Sequence, residues 1–402
     1  LASNYTLTGG THTFAINRKS VNIAGTRQYD GTTNIPAADI STITDTVNSE
    51  VLTMSGGLGT TSSANVAAYN LVNTSQGTLT LANGPSGANQ GLASNYTLTG
   101  GTQDYTITQR VLNSSGSKTY DANTDALAAA ITLSNLVSGE ALNHSGTATI
   151  SSANAGSYTI TNLSGISIAD GSGGTASNYT LTGGTHNFTV DRRVVSVSGT
   201  RLYDATTNAV ASDLSTHANL VGSETLNLSG TGTIASKNVG SNKTVSVGTL
   251  ALADGSNGGL AANYTLSGGT HQLTVNQRPL NATLARQYDG TTTAAGSDLS
   301  SFDALQGGET LTMTGSGTAA SANVANGIAM SSNGTLALAD GTGLASNYSL
   351  NSTVINIAQR VLNSSGSKTY DANTDALAGA ITLSNLVSGE ALNHSGTATI
   401  SS

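Results

Sequence analysis

A basic residue, a tyrosine two positions later, an aspartate directly after it and a glutamate 20 or 21 residues beyond the tyrosine recur five times in this chain. The sets are Arg27, Tyr29, Asp30 and Glu50; Lys118, Tyr120, Asp121 and Glu140; Arg201, Tyr203, Asp204 and Glu224; Arg286, Tyr288, Asp289 and Glu309; and Lys368, Tyr370, Asp371 and Glu390. Three kinds of chemistry could use them. The first is structural: the Asp closes an Asx turn at a strand end, and the base meets the Glu across neighbouring strands. The second is calcium, held by the motif Asp and a later LADG aspartate (Asp170, Asp254 or Asp340), because clustered loop oxygens bind a hard cation. Few carboxylates per site, Asn83 in place of the Asp in one unit and no DxDxDG spacing weigh against it. The structural reading therefore leads, and no other cofactor is implied. The third is an isopeptide crosslink from Lys to Asn or Asp with Glu as proton shuttle. Arg occupies the base position in three of five copies and cannot serve as the amine nucleophile.

Other polar residues recur without composing a catalytic set. Asn4, Asn95, Asn178, Asn263 and Asn347 each begin Asn-Tyr-Thr or Asn-Tyr-Ser, the acceptor pattern for N-linked sugar. An Asn ending a turn in left-handed geometry is the simpler reading. His12, His186 and His271 recur in a GGTH turn where one unit has Gln103, and are expected to be solvated. One His per unit makes neither a zinc site nor a triad. With no phosphate loop and no base beside the many Ser and Thr, an enzyme is not expected.

A scaffold that presents the same residues five times must itself repeat. Successive motif tyrosines lie 91, 83, 85 and 82 residues apart, too long for a helical hairpin or leucine-rich unit. Boundaries set after Arg18, Arg110, Arg193, Arg278 and Arg360 give closing strands of a truncated repeat at 1–18 and full repeats at 19–110, 111–193, 194–278 and 279–360, with an opening half at 361–402. The chain starts and stops inside a unit, as expected of a window in a longer protein. Each unit can enclose one modest core.

The third repeat shows the plan. VVSVSGTRLYD alternates as a strand, SDLSTHANL holds a short helical turn capped by Ser212 or Asp213, and TLNLSGTGTI turns Leu226 and Leu228 inward. In KTVSVGTLALADG a bulge at Gly248 is expected to correct the register. NYTLSGGTHQLTV is two strand pieces divided by Gly268 and Gly269. In four closing segments an apolar pair lies nine and eleven residues after the Tyr: Phe14 and Ile16, Tyr105 and Ile107, Phe188 and Val190, Leu273 and Val275. The fifth lacks the Gly pair and carries Ile355 and Ile357 at seven and nine. An even loss keeps each side chain on its own face of a strand, which supports β structure. The fold class is thus all-β, a tandem array of β-sandwich-like or β-grasp-like domains in an elongated rod or filament, with a continuous right-handed β-solenoid as the alternative.

Composition agrees. Charged residues are 9%, Pro numbers 3 and Gly 48, a mixture that favours short strands and turns over helices. Cysteine is absent, which removes disulfides and thiolate metal sites. A formal net charge of −8 gives no footprint for nucleic acid or anionic lipid. No apolar run approaches the length of a transmembrane helix. Arg110 to Ser152 and Arg360 to Ser402 are the same 43 residues but for Ala129 against Gly379, so a block of three units recurs at an offset of 250.

The YDGTT strand, the LADG turn before NYTL and the final strand ending in Arg resemble the YDG and MBG-type repeats of giant bacterial surface proteins, among them filamentous-haemagglutinin-like, two-partner-secreted adhesins and biofilm matrix proteins. The resemblance covers the whole chain and implies an exported, extracellular or cell-surface stalk or fibre. It implies as partners neighbouring repeats, other chains of a fibre, and an outer-membrane secretion partner or surface anchor. A repeated module that itself contacts glycan or another surface is the alternative.

Overall fold

Alternating apolar and polar residues cut by Gly and Asn fold as strands of two to eleven residues, and among the described residues helical structure is confined to short 3-10 turns. The computed structural model describes residues 1–70, 75–160 and 162–401. It divides into two compact units, Leu1–Arg192 and Arg193–Ser402. The first holds repeats 1 and 2; the second holds repeats 3 and 4 and the opening half of a fifth. Among the described residues no helix is long and apolar enough to cross a membrane.

In repeat 1 the opening strand, Asn22–Gln28, lies parallel to the closing strand, Gln103–Thr108. Ile40–Thr44 flanks the opening strand and Ala67–Asn70 the closing strand, both antiparallel. Repeat 2 keeps this order, with opening strand Asn113–Thr119 and closing strand His186–Asp191 flanked by Ile131–Ser134 and Gly156–Thr159. So do repeat 3, with Ser196–Leu202 and Gln272–Asn276, and repeat 4, with Arg278–Gln287 and Tyr348–Ala358. Neighbouring parallel strands need a crossover. Here it runs through short antiparallel ribbons, such as Asn34–Pro36 with Leu58–Thr60 and Leu52–Gly56 with Thr80–Asn83, in place of a helix. The sheet order is the β-grasp-like one of the two expected. Each sheet closes within its own repeat and does not continue as the rungs of a solenoid.

The parity of the closing strand holds. Tyr105, Ile107, Phe188, Val190, Leu273, Val275, Ile355 and Ile357 are at most 1% exposed. Without its Gly pair, the closing strand of repeat 4 is a single piece of 11 residues. Phe14 and Ile16, in the closing segment at 1–18, are exposed. Each buried Leu, Ile or Phe contributes roughly 1.5–3 kcal/mol, and the cores gather such residues: Val21, Ile23, Leu52 and Leu79 in repeat 1, Leu284, Met313, Ile355 and Ile357 in repeat 4.

Three details differ from expectation. Gly248, at φ +55°, belongs to a turn that leads the chain from Gly240–Ser246 into the ribbon Ala251–Asp254, and not to a bulge within one strand. The helical turn of repeat 3 is Ala211–Asp213, where Asp213 accepts from the Val210 N–H at 3.3 Å. Arg110 and Arg278 each head the following strand and do not end the preceding one.

Candidate functional site at the joints between repeats

The opening strand ends in the Tyr-Asp turn. Asp30 Oδ1 accepts the Thr32 N–H and hydroxyl, both at 2.9 Å. Asp204 does the same for Thr206, Asp289 for Thr291, and Asp121 accepts the Asn123 N–H at 3.1 Å. The residue after the Asp takes a left-handed φ: Gly31 at +79°, Gly290 at +78°, Ala122 and Ala205 at +63°. Gly adopts that conformation freely, which accounts for YDG in two copies. The base folds back onto this turn. Arg27 pairs with Asp30 and Arg286 with Asp289, while Lys118 and Arg201 reach Asp121 and Asp204 at 2.9 Å. Each base also donates to a turn carbonyl, Arg27 to Thr32, Lys118 to Asn123, Arg201 to Thr206 and Arg286 to Thr291. This corrects the expected base–Glu contact: the base finds its carboxylate three residues away, within its own turn.

The Glu is taken up by tyrosines. In the first unit, the Tyr29 hydroxyl donates to Glu140 Oε1 at 2.6 Å, from repeat 1 to repeat 2. Glu140 Oε2 accepts the hydroxyl of Tyr179, the tyrosine of Asn-Tyr-Thr, at 2.6 Å. The Tyr179 oxygen in turn accepts the Val137 N–H, and the two rings meet edge to face at 5.4 Å. In the second unit Tyr203 and Tyr348 grip Glu309 at 2.6 and 2.9 Å, with rings 5.3 Å apart. Lys237 adds an ion pair to Glu309 at 2.6 Å. Tyr288 bonds Glu390 in the same way. Half of the clasp is intrinsic to a repeat, as in Tyr96 with Glu50 and Tyr264 with Glu224, each at 2.6 Å.

Around the clasp the faces interlock. Arg110 donates to the Tyr29 carbonyl and to Asn135, Arg278 to the Tyr203 carbonyl, and Arg360 to the Tyr288 carbonyl. Asn178 Oδ1 accepts the Val66 N–H and its Nδ2 donates to Asn65 Oδ1, both at 2.9 Å; Asn347 repeats this with Val239 and Asn238. Asn178, Asn263 and Asn347 are at most 1% exposed. The left-handed turn reading is corrected at these positions, because each Asn ends a 3-10 turn without a positive φ, and burial of the nitrogen that would carry a sugar disfavours the sugar-acceptor alternative there as well. A Cβ on Gly31 would lie 2.9 Å from Val137 and one on Gly290 3.0 Å from Val387; where Ala205 stands instead, Gly307 faces it.

Burial, then the nearby Glu140 carboxylate, pushes the Tyr29 and Tyr179 hydroxyls up to about 12, and Tyr348 is likewise raised to about 12. Burial opposes the charge of Glu309, but hydrogen bonds from Lys237, Tyr203 and Tyr348 outweigh it and hold the carboxyl below its usual range.

The LADG aspartates cap turns. Asp170, Asp254 and Asp340 accept the N–H of Ala176, Ala261 and Ala345 at 2.7–2.8 Å, and Asn83 does this for Ala93 at 2.8 Å. An amide oxygen serves as well as a carboxylate, which explains the LANG variant. Among the described residues no three His, Cys, Asp or Glu gather as metal ligands. His12 is exposed as expected, but two of the three histidines are not solvated: His186 and His271 are 4% exposed. Nε2 of His186 and of His271 bonds the carbonyl of Leu181 and of Leu266, and Nδ1 meets the Ser114 hydroxyl and the Val197 N–H, respectively. Gln103, fully buried, makes the matching bond to the Leu98 carbonyl. The sequence signal was the exchange of His for Gln, two side chains with both a donor and an acceptor.

The YDG domain family matches the chain at residues 103–186, 189–275 and 271–355. Each match runs from the closing strand of one repeat to that of the next, so it is offset from the structural repeat by one strand, and the motif around Tyr29 lies outside. No curated protein matches. With more than half of its residues inside those three matches, the chain belongs to the YDG domain family.

Proposed function

We propose that this chain is the repeat region of a stalk or fibre in a large secreted bacterial adhesin or extracellular matrix filament, where it supplies reach and stiffness at the cell surface. The observation that carries this reading is the recurrence of one joint: a tyrosine of one repeat closing on a glutamate of the next, at Glu140, Glu309 and Glu390, with a tyrosine of that next repeat on the same carboxylate at Glu140 and Glu309. A module whose most repeated polar residues are spent on holding its neighbour suits a spacer, and nearest-neighbour joints are what stabilise repeat arrays. Its chemistry is docking and not turnover. Scattering and negative-stain imaging of the 402-residue chain test the reading. A narrow distribution of extended lengths supports it, and a limp coil of beads refutes it. Specific binding of the chain on a glycan array would favour the direct-binding alternative.

A further inference from the structure

In every full repeat the chain enters along the opening strand and leaves along the closing strand, and these two lie side by side and parallel. Six residue pairs join them in repeats 1 and 2, five in repeat 3 and ten in repeat 4. Parallel partners start at the same end of their ribbon, so the points of entry and exit lie at opposite ends. Tension along the chain must therefore slide one strand past the other and load all the bonds between them together. Two antiparallel end strands would instead present both chain ends at one edge and open bond by bond.

Two further features fit a loaded ribbon. Both strands are internal to the sheet, with an antiparallel neighbour on either side, and the core face of the closing strand is fully buried. Little slack separates successive ribbons: only Gln109 lies between Thr108 and Arg110, and only Gln277 between Asn276 and Arg278. We infer that the opening and closing strands of each repeat form a shear clamp that keeps the repeat folded under tension along the chain. The inference deepens the stalk reading by adding load to reach, and rests on that reading for its purpose. Repeat 4, whose ribbon runs through ten pairs with one register shift at Leu280/Asn281 where the others are split at the Gly pair, is the strongest clamp.

Single-molecule pulling tests this directly. The chain has no cysteine, so paired substitutions give unique handles. Ser115→Cys with Asp191→Cys spans the repeat 2 ribbon from its start to its end and loads it in shear. Ser115→Cys with Thr182→Cys places both handles at the start and peels it. All three side chains are exposed, and circular dichroism checks that both variants fold. The expected result is a several-fold higher unfolding force in shear than in peeling and, on pulling the whole chain end to end, repeat 4 as the last full repeat to yield. Equal forces in the two geometries overturn the clamp. A high shear force from a chain that is limp in solution sinks the stalk reading alone, while a stiff chain with equal forces sinks the clamp alone.

Discussion

Glu140 is the acceptor for two hydroxyls on two different repeats, so replacing it strands both. Glu140→Ala should cost roughly 1–3 kcal/mol for each donor left buried and unpaired, read as a lower denaturant midpoint for the first unit; Tyr29→Phe removes one bond and should cost less. The raised tyrosines give this joint an alkaline limit. Because Tyr29 and Tyr179 ionise near 12 in the folded chain and near 10 when unfolded, the unfolded state loses its protons first. Their stabilisation is complete below pH 10 and disappears as pH rises toward 12. Melting temperature followed from pH 9 to 12 should show that fall, and Tyr29→Phe with Tyr179→Phe should flatten it. At the Gly-Gly turn, His186→Gln should be tolerated because Gln103 already makes the bond to the turn carbonyl, whereas His186→Ala should cost roughly 1–3 kcal/mol by leaving buried partners unpaired. The importance of Tyr, Asp and Glu was legible in their fixed spacing, and so was the Asx turn. Which Glu meets which Tyr was not, because Tyr29 and Glu140 are 111 residues apart and no local period reports a partner in another repeat.

Alternation set the strands, and the missing Gly pair in repeat 4 was a natural test of which face they bury. The continuous strand Tyr348–Ala358 keeps Ile355 and Ile357 inward. The same edit made elsewhere should follow the same rule. Deleting Gly183 and Gly184 together should leave repeat 2 folded, with a longer closing strand, because the loss is even. Deleting Gly184 alone would turn Phe188 and Val190 outward and expel two residues that are each 1% exposed. Hydrogen exchange of His186–Asp191 distinguishes them: protection persists in the first variant and collapses in the second. Strand order lay beyond this kind of reading. A period of two says which face a residue occupies and nothing about whether its neighbour runs parallel, and Gly248 looked like a bulge because a turn between sheets shifts the period by the same amount.

Across the array, the duplicated block preserves matched faces as well as sequence. The segment holding Val137 recurs 250 residues later with Val387, and the turns they meet, at Gly31 and Gly290, share the sequence RQYDGTT. Copying units in threes keeps each joint with its complement, so the long period visible in the sequence becomes intelligible only once the joints are seen. In the first unit the joint is continuous with the core: Tyr29, Ile35, Tyr105 and Ile107 of repeat 1 cluster with Leu112 and Tyr179 of repeat 2. Two repeats that share a core should unfold together, since opening one exposes apolar surface on the other. Gly31→Val attacks that coupling twice, by forcing a branched residue into a left-handed φ and by driving a Cβ into Val137. Neither effect reaches the central strands of repeat 1 or repeat 2, so each should fold while the joint opens. The expected outcome is that one cooperative transition of residues 19–192 in denaturant-dependent hydrogen exchange becomes two, with Val66 and Val137 losing protection first. A single transition merely shifted to lower denaturant would mean that the coupling runs through some other contact than this joint.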